Sequence, residues 1–546
     1  MQTDSTTPLP PPSISRLTRL NPSQPVSTRY FTTNTQWVPP GEPAADYSDV
    51  QSDSSTAREC GAGERSMDGG RCVAQGRAGQ VQPQGNTQAY EFARYPAPFQ
   101  HLPKKVKNYN MVSPANADYP RYARVAQYGM AMTDMIKAKR ATMGKQRSEF
   151  TEPDDFRRYL GHTGGTGGFF GASQNSEIPE PEIARDWKED AAFARQFING
   201  VNPLILSKVT SMAGIPATFQ TQMGNDATLL PRMTSTADGA ELQALVDAGR
   251  LFLCDYEILQ GIPAQAGTIM YSPVVLLFMT AATDPNAMHQ GRRLMPLAIQ
   301  LTRYTHRANR VYTPVPLAPA TQASKVWLFA KMHAAGSDGQ IHQMVSHLCF
   351  THLAMEPLIV AVHRWFPKTH LMHKILTPHF TDTLAINSLG RVTLLPPGGS
   401  FDKAMAPGVR GGLALMAKAY VQGFQQNITM HPFRELSARG FKPIALEDRG
   451  TAKDPMPAYY YRDDALDVFE AIRAYVGQVV AKEYKAKGGD KGVAGDALLQ
   501  AFRRDLAAPS GGNTPGVPVM DTESELAEFI ATVLFTATAQ HAAVNL

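Results

Sequence analysis

Cysteine is scarce, with four in 546 residues, and charged side chains make up 18% of the chain. Cys254 and Cys349 lie in apolar segments and read as buried thiols, while Cys60 and Cys72 sit in a polar, Gly-rich stretch that does not force a disulfide. No run approaches the roughly 18 consecutive apolar residues of a membrane-spanning helix, and the N-terminus lacks the basic start and apolar stretch of a secretory leader. These absences set the expectation of a cytoplasmic protein, with peripheral membrane contact compatible with it. The net charge of +5 is mild, and short basic runs such as Lys104-Lys105 and Lys137 to Arg140 read as solvated faces. No motif supports nucleic-acid binding. The Gly-rich segment Thr163 to Gly168 lacks the Gly-Lys-[Ser/Thr] ending of a phosphate-binding loop and reads as a connection.

The chain is 43% hydrophobic, enough at this length to bury a sizeable core. Residues 1–95 are rich in Ser, Thr, Pro, Gly and Gln and are expected to be disordered. Residues 96–150 form a transitional segment with an expected helix from Tyr122 to Lys139. Beyond about residue 185 the pattern is mostly helical, with short strands expected at 250–256, 273–280 and 296–301, so the fold class is mainly α. Long helices are expected at 321–333 and 340–365. Thr522 is placed to cap a last helix beginning near Glu523, after the loop marked by Pro515 and Pro518. Its interior, Phe529 to Phe535, is apolar almost throughout, as a helix buried on most faces requires.

Two clusters carry the chemistry: His342-Gln-Met-Val-Ser-His347 and His541-Ala-Ala-Val-Asn545. At roughly 100° per residue, His541 and Asn545 lie about 40° apart around a helix and can face one ion. His342 and His347 lie about 140° apart, which spoils convergence unless the helix widens locally. A π-type bulge across 342–347 is therefore expected. Three imidazoles and an amide oxygen, without thiolate, suit octahedral non-haem iron better than structural zinc. The 342–347 segment has no Glu to act as the base of a zinc hydrolase. Of the chain's 14 histidines, His333, His352, His363, His370, His373 and His379 stay outside this ligand set, with His352 and His379 read as supporting or packing residues.

The chain resembles the lipoxygenases. The likeness rests on Trp327 to Lys331, Asp338, the 342–347 cluster, Thr351-His352, Glu356-Pro357, Pro378-His379 and Ile386-Asn-Ser-Leu-Gly-Arg391. It continues through Leu436 to Gly440, Asp454-Pro455, Tyr459 to Asp464 and the His541 to Asn545 motif, and upstream through Phe197 to Pro203, Leu251 to Tyr256 and Pro296 to Leu301. It implies a single large helical catalytic domain over residues 151–546. Nothing in residues 1–95 resembles the β-barrel domain that precedes it in plant and animal members. In that family the chain runs on past the His-x-x-x-Asn helix and returns a terminal carboxylate to the metal, so the domain is expected to be incomplete at its C-terminus.

The resemblance further implies metal ligands His342, His347, His541 and Asn545 around non-haem iron, with manganese as the alternative. The implied reaction is dioxygenation of a polyunsaturated fatty acid containing a cis,cis-1,4-pentadiene, by hydrogen abstraction and O2 insertion, to a hydroperoxide. Leu348 and Leu394 would flank the substrate. In the family's Ile-Asn-x-x-[Ala/Gly]-Arg segment, Gly tends to accompany R products, so Gly390 points to R stereochemistry. A non-catalytic lipid- or partner-binding homologue and a hydroperoxide isomerase remain as alternatives.

Overall fold

The computed structural model describes residues 186–545 apart from 284–287, 305–308, 317–319, 421–430 and 515, plus a hairpin pairing Met67–Asp68 with Arg71–Cys72. Apart from that hairpin, the expectations for residues 1–150, the 163–168 connection and Cys60 lie outside the described residues.

Helix α1 (Asp190–Asn199) leads into β1 (Leu206–Lys208), followed by α2 (Ala217–Asn225), α3 (Leu229–Thr236) and α4 (Leu242–Asp247). The chain then lays down β2 (Leu251–Asp255), β3 (Val274–Met279), β4 (Leu294–Gln300) and β5 (Val311–Tyr312). All five strands pair in sequence order as an antiparallel meander. The three strand spans read from sequence fall on β2, β3 and β4. Alternation sorts their side chains between two cores. Phe252, Cys254 and Leu277 face the main helical core, while Leu251, Leu253 and Leu276 face a smaller one roofed by α2, α3 and α4. The register breaks where Leu276 pairs with Ala298 but Leu277 pairs with Pro296. Proline has no N–H to give the ladder, and the resulting bulge leaves Leu297 and Ala298 together in the smaller core.

The axis of the fold is α5, a continuous helix over Gln322–Trp365. A capping box between Thr321 and Ser324 starts it. The expected interruption between residues 333 and 340 is absent. Gly336 and Gly339 weaken helix propensity there, but Ser337 through Ile341 are buried, and tertiary packing overrides propensity. This helix is long and apolar enough to cross a membrane, yet 83% of its most apolar window is buried inside the protein. It is the core helix of the domain. Two further elements frame the site: α6 (Thr383–Thr393) and α7 (Tyr460–Tyr484). The last helix, α8, spans 523–544 and opens on the expected Thr522 cap, completed as a capping box by Glu525.

Candidate metal centre

Within α5 the ladder widens to a π-helix over His342–Leu353, twice the expected length. Hydrogen bonding from i to i+5 sets residues five apart nearly above one another. That applies to two overlapping histidine pairs, 342/347 and 347/352. A second π segment, Thr536–Gln540, was not anticipated; it immediately precedes His541 in α8.

The widening gathers His347, His352 and His541, whose ligand atoms all lie within 4.8 Å of one another. The Nε2 atoms of His347 and His352 are 3.1 Å apart. The opposite side of each ring is held by an oxygen. Asn387 Oδ1 accepts from His352 Nδ1 at 2.9 Å, and Gln343 Oε1 stands 3.5 Å from His347 Nδ1. His541 makes a backbone hydrogen bond to Ala537, and its buried Nε2 has no hydrogen-bond partner, so Nδ1 makes that bond. Three rings with Nδ1 engaged present three Nε2 lone pairs inward. At 3.1 Å the His347 and His352 nitrogens can share a single proton or sit on one cation. Two ligand nitrogens about 2.1 Å from one ion at right angles would stand about 3 Å apart.

Protonation agrees with this. Burial pushes His541 down to about 4, and burial followed by the neighbouring His352, His342 and His541 rings holds His347 well below the usual range. Burial also lowers His352 against its bond to Asn387. Neutral imidazole is the form that ligates. The donor set, three nitrogens without thiolate or carboxylate, fits a non-haem iron or manganese ion.

Two expected ligands stand elsewhere. His342 is fully buried, but its Nε2 lies 2.6 Å from the Val544 carbonyl, so it caps the end of α8. The last carbonyls of a helix have no partner in their own ladder, and a histidine is a common donor to them. Asn545 lies just beyond that cap, with extended backbone (φ −90°, ψ 138°) and an exposed side chain, so the helical His541/Asn545 alignment is not formed. His352 takes the place expected of His342. Its signal was in the sequence, since 347/352 repeats the spacing of 342/347. Asn387 and Gln343, which orient the rings, carried no such signal.

Leu348 is partly buried against the main core. Gly390 sits in α6, and a methyl group added to it would meet Leu394 Cδ1 at 3.6 Å, an ordinary contact. Gly390 and Leu394 therefore face each other across one turn, with the Gly390 carbonyl accepting from the Leu394 amide at 2.9 Å. Two pairs of bonds tie α6 to α5: Asn387 meets His352 twice, and Arg391 meets the buried Glu356 bidentately.

A family model described as Lipoxygenase matches residues 170–546. The polyunsaturated fatty acid lipoxygenase ALOX8 of Mus musculus is 32% identical over 366 residues, which cover 66% of this chain and 48% of the mouse protein. The hydroperoxide isomerase ALOXE3 of Homo sapiens is 31% identical over 373 residues, covering 66% of this chain and 46% of the human protein. Among solved structures, a calcium-dependent 11R-lipoxygenase superposes with a TM-score of 0.61 at 27% identity, over 84% of this chain and 62% of that one. The chain spans about half the length of the curated relatives it matches. With the model match extending over most of its length and the histidine cluster inside the matched region, the chain belongs to the lipoxygenase family.

Proposed function

We propose that this chain carries the metal-binding part of a fatty-acid dioxygenase, with His347, His352 and His541 holding non-haem iron, or manganese in its place. The convergence of three Nε2 atoms, each ring braced at Nδ1 by an oxygen, carries this reading. When bound, the metal supplies one-electron chemistry for removing hydrogen from the doubly allylic methylene of a polyunsaturated fatty acid, to which O2 then adds to give a hydroperoxide. The protein's share is placement. Burial keeps the three rings neutral, their partners fix the ring faces, and the apolar Leu348 and Leu394 would line a dry slot that aligns the methylene and keeps the radical from side reactions. The missing methyl at Gly390, opposite Leu394, supports an R product, as does likeness to a protein titled an 11R-lipoxygenase.

Hydroperoxide isomerisation is the second reading, favoured by a relative of that name at 31% identity. The full chain loaded with Fe(II) and given linoleate or arachidonate in air is expected to develop conjugated-diene absorbance. Consumption of a preformed hydroperoxide at low oxygen without new diene would favour the isomerase. Metal content distinguishes the ligands: His347→Ala, His352→Ala and His541→Ala are each expected to lose it, while His342→Gln, which keeps a donor for Val544, retains it. Full metal loading in His541→Ala would eliminate the site.

A further inference from the structure

Four of the bonds around the cluster form a ladder between two helices. On α5 the rungs leave from His352 and Glu356; on α6 they arrive at Asn387 and Arg391. Both pairs are spaced by four residues in the same sense, so the helices run parallel where they are tied. Gly390 lies between the rungs on α6, directly before Arg391.

The first rung has only one consistent assignment. Asn387 is buried, with 3% of its surface exposed, and it meets His352 twice: Oδ1 at 2.9 Å from the ring Nδ1 and Nδ2 at 3.0 Å from the backbone carbonyl. A carbonyl can only accept, so the amide nitrogen must face it, and the amide oxygen must face the ring. The ring nitrogen there therefore carries the hydrogen, and the lone pair is left on Nε2, the atom 3.1 Å from His347 Nε2. The carbonyl also accepts from the Ala354 amide, and the sequence explains why the widened ladder itself does not claim it. An i to i+5 ladder would need an N–H at residue 357, and Pro357 has none.

We propose that Asn387 is a positioning residue that locks His352 into the Nδ1–H tautomer and couples the metal cluster to the α6 helix bearing Gly390 and Leu394. The proposal rests on the metal reading above. Its consequence is that one helix sets both the donor atom offered to the metal and the position of the residue opposite Leu394. A partner that orients a ligating histidine typically contributes 10- to 100-fold to metal affinity.

The test is calorimetric titration of Co(II) into the full apo chain, with the visible Co(II) spectrum reporting ligand number. Asn387→Leu, which matches the shape and removes both bonds, is expected to weaken affinity about 10- to 100-fold and shift the spectrum towards fewer nitrogen donors. Arg391→Lys, which loosens the other rung, is expected to stay within about threefold of the parent despite a lower melting temperature. Affinity within about threefold for Asn387→Leu, or equal weakening in Asn387→Leu and Arg391→Lys, overturns the proposal. Should the leucine variant not fold, nitrogen NMR of the histidine-labelled parent chain decides: a hydrogen on Nε2 of His352 overturns it, and one on Nδ1 upholds it. Unaltered affinity in His541→Ala would instead sink the metal reading, and this one with it.

Discussion

Gly390 is a residue whose replacement tests function with little structural cost. A Cβ there meets Leu394 at 3.6 Å, so Gly390→Ala is expected to fold as the parent does and to gain up to about 1 kcal/mol from better helix propensity. If the space at Gly390 directs oxygen, chiral analysis of the hydroperoxide will show R product giving way to S; unchanged chirality removes Gly390 from that role. Asp338 tests a different property. It is buried, its partners are the neutral Asn202 and Tyr256, and burial raises its carboxyl to about 7. A raised carboxyl favours the native state fully below the unfolded value of 3.8 and loses that contribution as pH climbs through about 7. Asp338→Asn keeps the acceptor without the charge. It is expected to be more stable than the parent at pH 8, by on the order of 4 kcal/mol at most, with the difference shrinking towards pH 4 in urea melts. At this scale the sequence supplied two of the three clustered rings, His347 and His541, but read His342 as the third and His352 as a supporting residue, although both pairings have the same spacing. What separates them is which ring reaches Val544 and which reaches Asn387, and those contacts span 202 and 35 residues.

Elements were more legible than contacts. Strands β2 to β4 showed as short apolar runs, and Thr522 showed as a helix cap, because both signals are local. The π segment of α5 was inferred from the demand that two histidines share a face, yet its extension to Leu353 and the twin segment at Thr536–Gln540 depend on packing between α5 and α8. The gap left between the helices expected at 321–333 and 340–365 is closed by the burial of Ser337 through Ile341. The tie between α5 and α6 offers a test of element docking. Glu356 is 1% exposed and receives both arms of Arg391. Removing the cation leaves a buried carboxylate without its main partner, so Arg391→Leu is expected to cost about 3 to 5 kcal/mol. The double variant Glu356→Leu with Arg391→Leu is expected to recover most of that loss in a double-mutant cycle. A double variant as unstable as the single would mean that shape, not charge, holds α6 in place.

The whole domain responds to pH as the balance of two buried classes of titrating group. Asp338 weakens the fold as pH rises towards 7, whereas the half-buried histidines act in the opposite direction. Burial lowers His333 and His363 to about 4, each from an ordinary 6.5. The unfolded chain then binds more protons than the native one between those values, so their contribution is complete above about pH 6.5 and is lost as pH falls towards 4. His333 lies on α5, wedged edge-on between Phe329 and Tyr271, away from the clustered rings. Histidine is the only side chain that ordinarily titrates in this window, so its replacement by a ring of similar shape isolates the effect. His333→Phe is expected to retain the aromatic contacts and to show a shallower fall in melting temperature between pH 7 and pH 5 than the parent. Parallel curves for the two proteins would mean that His333 gains its proton without cost to the fold, and that the acid limb belongs to other groups.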